Sequence, residues 1–578
     1  MATTANGRQQ RERERRGSIK IGDGDGPAND VGMDSLVIQA AHTQNRFVPG
    51  FEAVRLVSSL ARRPGALARR AAGFGAEAAS IVRGSSERRP PKGDRRFADP
   101  AWSQNPLFRR LAQGYFALGD AMHGLIDDAE LEWGADHRLH YVAGNVFDAI
   151  APTNFPWTNP TAMKVSIDKG GTNFVAGARQ MLQDLRSPAK LPANVDRTPF
   201  KVGENLAVSP GAIVSRTEMY ELIQYQPLTD QVREAPLVII PPMISKYYVI
   251  DLAPGRSLVE YLVSREQQVF TVSWRNPAAG QAEWDLDTYV TAILEAADAA
   301  RSVTGADQVH LLGLCAGGVA TACTVGRLAD VGALDGIAGV TLSVTTLDTQ
   351  RAGTVGSFVS AETAAVAVRN VARRGYLDRY QLARTFAWLR PNDMIWNYWV
   401  NNYLLGNKPP AFDLLYWNAD TMDMPAGLHR DFVKIGVDNP LVRPGELKVL
   451  GSPIDLSQIT CDAYVIAGET DHITPWPNCY KTTQLFGGDS RFVLSNGGHI
   501  AAVINPPGNP KSTYSVGDHN PPTPEEWLSG AGAKQGTWWE DWDAWLAERT
   551  GSRKAAPKKL GGRGYQPVDP APGSYVLA

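Results

Sequence analysis

Val309-His-Leu-Leu-Gly313-Leu-Cys315-Ala-Gly317-Gly318 carries an apolar run straight into Gly-x-Cys-x-Gly and then into an Ala-rich helical pattern. This is the spacing of a nucleophile elbow. The reactive side chain sits on a tight strand-to-helix turn, and the residues two before and two after must be small because strand and helix nearly touch there. A place at a helix N-terminus also favours a thiolate, and lowering a thiol pKa from about 8.5 to near 7 takes only about 2 kcal/mol. On its own the segment reads equally well as a buried structural cysteine in a glycine-rich turn. Its partners decide.

Outward from the elbow, short apolar runs at 237–241, 269–273, 309–313, 339–344, 463–467 and 492–495 alternate with helical patterns such as 286–303 and 316–328. Buried β-branched runs separated by helices predict a mostly parallel sheet with helices on both faces. A working thiol needs a base and an orienting acid, and on such a sheet they follow in chain order, acid then histidine, each just after a strand. The run ending at Ala467 continues as Gly468-Glu-Thr-Asp471-His472, and the run ending at Ser495 as Asn496-Gly-Gly-His499. Cys315 as nucleophile, Asp471 as acid and His499 as base therefore predict an α/β-hydrolase fold. His472 competes for the base, but its adjacency to Asp471 suits a packing role better. Glu469 is a second possible acid, read as a solvated loop carboxylate.

An oxyanion hole needs two backbone N–H groups. Ala316, directly after the nucleophile, supplies one; Met243 or Ile244, in the loop after the first of these strands, supplies the other. Cys323, Cys461 and Cys479 read as buried small apolar residues.

A chain of 578 residues exceeds one ordinary core and predicts two domains with tails. Residues 1–95 read as a disordered or weakly helical extension, with a basic run over 8–16 among acidic neighbours and a helical stretch over 51–82. Residues 96–200 carry helical spacing at 106–127 and 136–150 and form a helical N-terminal domain. Residues 201–578 form the catalytic domain. Within it the strand–helix alternation stops, which predicts a cap insertion over about 349–446, and the tail from about 550 reads as mobile or draped. With 58 basic and 60 acidic residues there is no net field for nucleic acid, and no apolar run is long enough for a transmembrane segment. Four cysteines and nine histidines show neither a disulfide framework nor metal-ligand spacing, so no metal and no cofactor are expected. The reading is cytoplasmic.

Further motifs carry a resemblance. The elbow, Pro241-Pro-Met-Ile-Ser-Lys246-Tyr-Tyr, Val272-Ser-Trp274-Arg275-Asn276-Pro277, Arg390-Pro-Asn-Asp393 through Asn397-Tyr-Trp-Val-Asn-Asn402-Tyr, and Phe412-Asp-Leu-Leu-Tyr-Trp417-Asn resemble the polyhydroxyalkanoate synthases. So do Asp471-His472-Ile-Thr-Pro475-Trp476 and Gly498-His499-Ile-Ala-Ala-Val-Ile-Asn505-Pro506-Pro507. The resemblance runs from about Asn105 to the C-terminus. It implies polymerisation of (R)-3-hydroxyacyl-coenzyme A into an intracellular polyester, with coenzyme A as part of the substrate and a product. It maps the family's nucleophile, base and catalytic Asp onto Cys315, His499 and Asp471. It further implies a homodimer, a lid-like cap and association with a polyester granule surface. Single-chain organisation resembles classes I and II; Asn401-Asn-Tyr-Leu-Leu-Gly-Asn407 and Gly508-Asn-Pro-Lys511 lean toward the medium-chain class II group. Asp471 either orients His499 or helps deprotonate the substrate hydroxyl. The rival readings are an acyl-coenzyme A thioesterase with a Cys nucleophile and a non-catalytic granule-associated protein.

Overall fold

The computed structural model describes residues 50–350 and 361–578, in two compact units. The basic run over 8–16 lies outside the described residues.

The first unit is helical: α1 (Gly50–Ala61), α2 (Pro64–Arg83), α3 (Pro106–Asp128), α4 (Trp133–Ala149), α5 (Pro160–Asp168) and α6 (Thr172–Arg186). Its starts follow from local chemistry. Asn105 caps α3 by accepting the Leu107 N–H at 2.9 Å, and Pro106 loses nothing at the first helical position, where its missing N–H would have had no partner. Glu132 caps α4 through the Ala135 N–H. The buried face of α3 stacks Tyr115 on Phe147 of α4, ring centroids 3.9 Å apart, with Phe97, Trp102 and Phe116 around them. A Cβ on Gly119 would lie 2.5 Å from the Phe147 ring, so the two helices meet only over a glycine.

Two expected boundaries move. The helical unit reaches back past residue 96, because α1 and α2 pack on it; Arg70 of α2 pairs with Asp128 of α3 at 2.7 Å. It also takes in Pro391–Asn407, which the sequence assigns to the cap. There two wide π-type turns, Asn392–Trp396 and Trp399–Leu404, dock on the unit: Trp399 Nε1 donates to the Asn154 carbonyl at 3.0 Å and Asn173 Nδ2 to that of Leu404 at 2.7 Å. The insertion is therefore divided between the units rather than being one cap.

The second unit is built on an eleven-stranded sheet. In chain order its strands are β1 (Gly211–Arg216), β2 (Tyr220–Tyr225), β4 (Leu237–Ile240), β5 (Val269–Trp274), β6 (Val309–Leu314), β7 (Ile337–Ser343), β8 (Ala463–Gly468), β9 (Ser490–Ser495), β10 (Thr513–Val516), β11 (Gly532–Gln535) and β13 (Asp569–Pro570). β3 (Gln231–Arg233) and β12 (Arg553–Ala555) form a separate ribbon. The spatial order is β11-β10-β9-β8-β7-β6-β4-β5-β2-β1-β13. The six central strands, β9 to β5, run parallel, and antiparallel strands close both edges. All six expected strands are present, every residue of β4, β5, β6 and β8 is buried, and the fold is that of the α/β hydrolases. α7 (Leu286–Thr304) and α8 (Ala316–Asp330) are the crossover helices of the elbow region, and α9 (Ala361–Arg374), α10 (Arg379–Leu389) and α11 (Ala426–Asp438) belong to the insertion.

The tail from about 550 is pinned, not draped. β12 pairs with β3 and β13 with β1, and the fully buried Glu221 carboxylate accepts the Ser574 and Tyr575 N–H groups at 2.9 and 3.0 Å. Arg216 completes that site as the counter-charge to Glu221 at 2.6 Å. Among the described residues no helix is long and apolar enough to cross a membrane.

Candidate active site

Four strand ends build the site. In a parallel sheet the carboxyl ends lie along one edge, and the loops leaving them share a crevice. β4 leads to Met243, β6 to Cys315, β8 to Asp471 and β9 to His499. Register brings the strands level: Ile240 pairs with Gly313, Ser343 with Ile466, and Gly468 with Ser495.

Cys315 is the first residue beyond β6 and the cap residue of α8, with φ 51° and ψ −117°. A non-glycine residue at positive φ stores about 1–3 kcal/mol and is held only where surrounding contacts dictate it. Those contacts are visible. A Cβ on Gly313 would lie 2.6 Å from Gly318 Cα, and one on Gly317 would lie 2.4 Å from the Ile240 carbonyl oxygen. The Cys315 N–H donates to the Ser343 carbonyl at 2.9 Å, and Thr345 Oγ1 donates to the Cys315 carbonyl. The small residues at positions two before and two after are thus a packing requirement of this turn.

Asp471 and His499 meet. His499 Nδ1 donates to Asp471 Oδ2 at 2.7 Å, and both side chains are buried. The carboxylate takes three more donors: the Ile473 and Thr474 N–H groups reach Oδ1 at 2.8 and 3.0 Å, and Thr474 Oγ1 reaches Oδ2 at 2.6 Å. Burial opposes ionisation of Asp471, but His499 and these donors hold its pKa below the ordinary carboxylate value. Burial likewise works to lower the pKa of His499; the charge of Asp471, then contact with Cys315, overcomes it and raises the pKa to about 10. The imidazole, aspartate and thiol interact as one set.

The competing groups separate from that set. Glu469 is exposed. His472 makes no bond to Asp471; its Nδ1 is buried without a partner among the described residues, and burial lowers its pKa to about 4 despite Asp471. Burial pushes the thiol of Cys323 up to about 12 and that of Cys461 up to about 11. Cys461 is half-buried rather than buried. Cys479 lies beside Thr474, its Sγ 3.5 Å from that residue's carbonyl, and burial holds its thiol well above the ordinary value.

The N–H of Ala316 opens α8 and so has no intrahelical acceptor. Met243 and Ile244 lie in the turn after β4, packed against the elbow through the Ile240 and Pro241 carbonyls that crowd Gly317. The turn is held from the insertion, where the Met422 N–H donates to the Ile244 carbonyl at 2.9 Å.

Two supports escape sequence reading. Thr474 bridges Asp471 and His499, its Oγ1 also 3.1 Å from His499 Nδ1. The signal was Asp-x-x-Thr, the pattern in which an aspartate caps the following turn. The short helix α12 (His499–Val503), which begins with His499 itself, leaves its last carbonyls without helical donors. Trp538 and Trp539 of α13 (Trp538–Ala547) satisfy two of them, donating to Ala502 at 2.6 Å and Val503 at 3.1 Å.

Comparison with known proteins agrees with this architecture. The family described as poly-beta-hydroxybutyrate polymerase (PhaC) N-terminus matches residues 93–262, and the alpha/beta hydrolase fold matches residues 242–506. The chain is 44% identical over 515 residues to poly(3-hydroxyalkanoate) polymerase 1 of Ectopseudomonas oleovorans, covering 89% of this chain and 92% of the relative. It is 41% identical over 553 residues to polymerase 2 of the same organism, covering 94% and 98%. Against the poly(3-hydroxyalkanoate) polymerase subunit PhaC of Cupriavidus necator it is 39% identical over 547 residues, covering 93% and 92%.

Proposed function

The chain belongs to the poly(3-hydroxyalkanoate) polymerase family, and from that premise we propose that it polymerises (R)-3-hydroxyacyl-coenzyme A through an acyl group carried on Cys315. The observation that carries the proposal is Cys315 at positive φ at the head of α8, in contact with a histidine already bonded to a buried aspartate.

In the attack His499, its pKa raised to about 10 by Asp471 and by contact with Cys315, holds the proton that the Cys315 sulfur gives up. The sulfur bonds to the thioester carbonyl carbon, and the N–H of Ala316 with that of Met243 or Ile244 receives the oxyanion. The carbon–sulfur bond to coenzyme A then breaks, and His499 gives its proton to the departing thiolate. Now neutral, His499 takes the proton of a 3-hydroxyl group, whose oxygen attacks the acyl-Cys315 carbonyl. An ester forms, the Cys315 thiolate leaves, and the imidazolium is restored. Exchange of one thioester for another is nearly isoenergetic, so the acyl group stays activated for ester formation. A near-inaccessible Cys315, 3% exposed, disfavours water as the competing nucleophile.

Asp471 acts as the orienting group in this account. Its two oxygens already accept four hydrogen bonds, three from within its own turn, which leaves no lone pair aimed at a substrate hydroxyl. No cofactor enters the scheme. The homodimer and the granule surface stay with the proposal as the partners that the family implies, and medium-chain substrates as the preferred class.

The test supplies C4 and C10 (R)-3-hydroxyacyl-coenzyme A in parallel and records free thiol and turbidity together. Thiol release with rising turbidity, faster for C10, is expected. Thiol release with soluble free acid would make the protein a thioesterase, and no release would make it a non-catalytic granule protein. Faster turnover of C4 would remove the medium-chain assignment alone.

A further inference from the structure

The helical unit holds a second group of histidines and carboxylates, which the acyl chemistry does not use. His123 and Asp127 stand four residues apart on α3, and Asp136 and His140 stand four apart on α4. A four-residue step puts both members of each pair on one helix face. The two faces meet. His140 Nε2 lies 3.2 Å from Asp127 Oδ1 and 3.7 Å from Asp136 Oδ1, and the three ligand atoms lie within 4.8 Å of one another.

The 3.2 Å contact lies at the outer edge of the hydrogen-bond range and the 3.7 Å contact beyond it. A charge-assisted hydrogen bond from imidazolium to carboxylate closes to about 2.7–2.9 Å, as His499 and Asp471 do at 2.7 Å. Two ligands on one zinc-sized ion, each about 2.0–2.2 Å from it in tetrahedral geometry, stand about 3.4 Å apart. The His140 contacts bracket that second value.

The far side of the ring is also arranged. His140 Nδ1 lies 2.7 Å from His123 Nδ1, with the two rings parallel to within 4°. One proton must lie between those nitrogens. With it on His140 Nδ1, His140 Nε2 presents a lone pair to Asp127 and Asp136, the tautomer a metal ligand needs; an outer partner on the other ring nitrogen is the usual means of fixing it. Asp127 is exposed, which leaves solvent-facing positions for water to complete the shell. Arg70, whose charge reaches Asp127, is itself bound to Asp128.

We propose that Asp127, Asp136 and His140 form a site for a divalent first-row transition ion of the zinc class, clamping α3 to α4, with His123 as the positioning residue that sets the His140 tautomer. One imidazole and two carboxylates suit zinc, or cobalt as its spectroscopic substitute, better than calcium, for which all-oxygen sets are usual. The ion would neutralise two carboxylates near the end of one helix and the start of the next, and would stabilise the unit by mass action.

The experiment uses the full chain as Cys315→Ala, so that the reactive thiol does not compete for metal. After chelator treatment the protein is titrated with Zn²⁺ by calorimetry and with Co²⁺ by visible absorption. The expected result is one ion per chain, a Co²⁺ spectrum without thiolate charge transfer, and a higher unfolding midpoint with Zn²⁺. His140→Gln should abolish saturable binding, Asp127→Asn should weaken it, and His123→Ala should weaken it roughly 10–100-fold. Asp127 is exposed, so Asp127→Asn keeps the test decisive if His140→Gln fails to fold. No saturable binding, or binding unchanged by Asp127→Asn in a natively folded variant, overturns the proposal.

Discussion

His499 and His140 both face aspartate, and the difference between them is what each ring does with its second nitrogen. At His499 one carboxylate, saturated by its own turn, fixes Nδ1 at 2.7 Å, and the remaining nitrogen is left for Cys315. At His140 two carboxylates stand at 3.2 and 3.7 Å from Nε2, and another histidine occupies Nδ1. In the proposed reaction the first arrangement moves a proton, because a buried, fully bonded carboxylate can only orient and charge the imidazole. The second, in the arrangement we propose, turns a lone pair toward two carboxylates, which is how a cation is held. The same two residue types thus diverge through burial, bond length and the occupant of the far nitrogen.

Substitutions in the first site break the comparison most strongly. His499→Gln removes the only proton carrier in the set, and coenzyme A release should fall roughly 1,000-fold or more. Asp471→Asn keeps the shape and removes the charge; release should fall roughly 100-fold. It should also change the pH profile. His499 in the intact site has a raised pKa, so its charged form and the stability that form confers are complete below the ordinary histidine pKa and are lost as pH rises toward about 10. Removing the charge that raises it moves the alkaline limb of kcat/KM to lower pH. An unmoved limb would mean that Asp471 is not what charges His499.

Thr474→Val sharpens the contrast, since the His140 group has no bridging hydroxyl among its described partners. It deletes one hydrogen bond to a charged acceptor, and kcat should drop roughly tenfold with little change in KM. Glu469→Gln should leave kcat within about twofold, because that carboxylate is exposed to solvent.

Much of this was legible in the sequence wherever chemistry is local. The elbow, the six central strands and the order Cys315, Asp471, His499 each follow from a short motif next to an apolar run. Long-range pairing was not. β1 and β2 have no internal punctuation that marks them as a sheet edge, and the tail from 550 is rich in Lys, Gly and Pro, yet Glu221 anchors it across more than 300 residues of chain. Residues 391–407 read as part of a cap because they sit between two strands in sequence, while Trp399 and the Leu404 carbonyl find their partners in the helical unit. The metal-type group was hidden for the same reason: each four-residue pair is unremarkable until α3 and α4 are laid together.

The account stands on Cys315 carrying the acyl chain. The most direct measurement is peptide mass mapping of protein quenched after mixing with one equivalent of (R)-3-hydroxydecanoyl-coenzyme A. The account predicts one acyl adduct, on the peptide containing Cys315, released by added thiol and absent in Cys315→Ala. Coenzyme A release by Cys315→Ala at the parent rate, or an adduct on Cys479 instead, would contradict it.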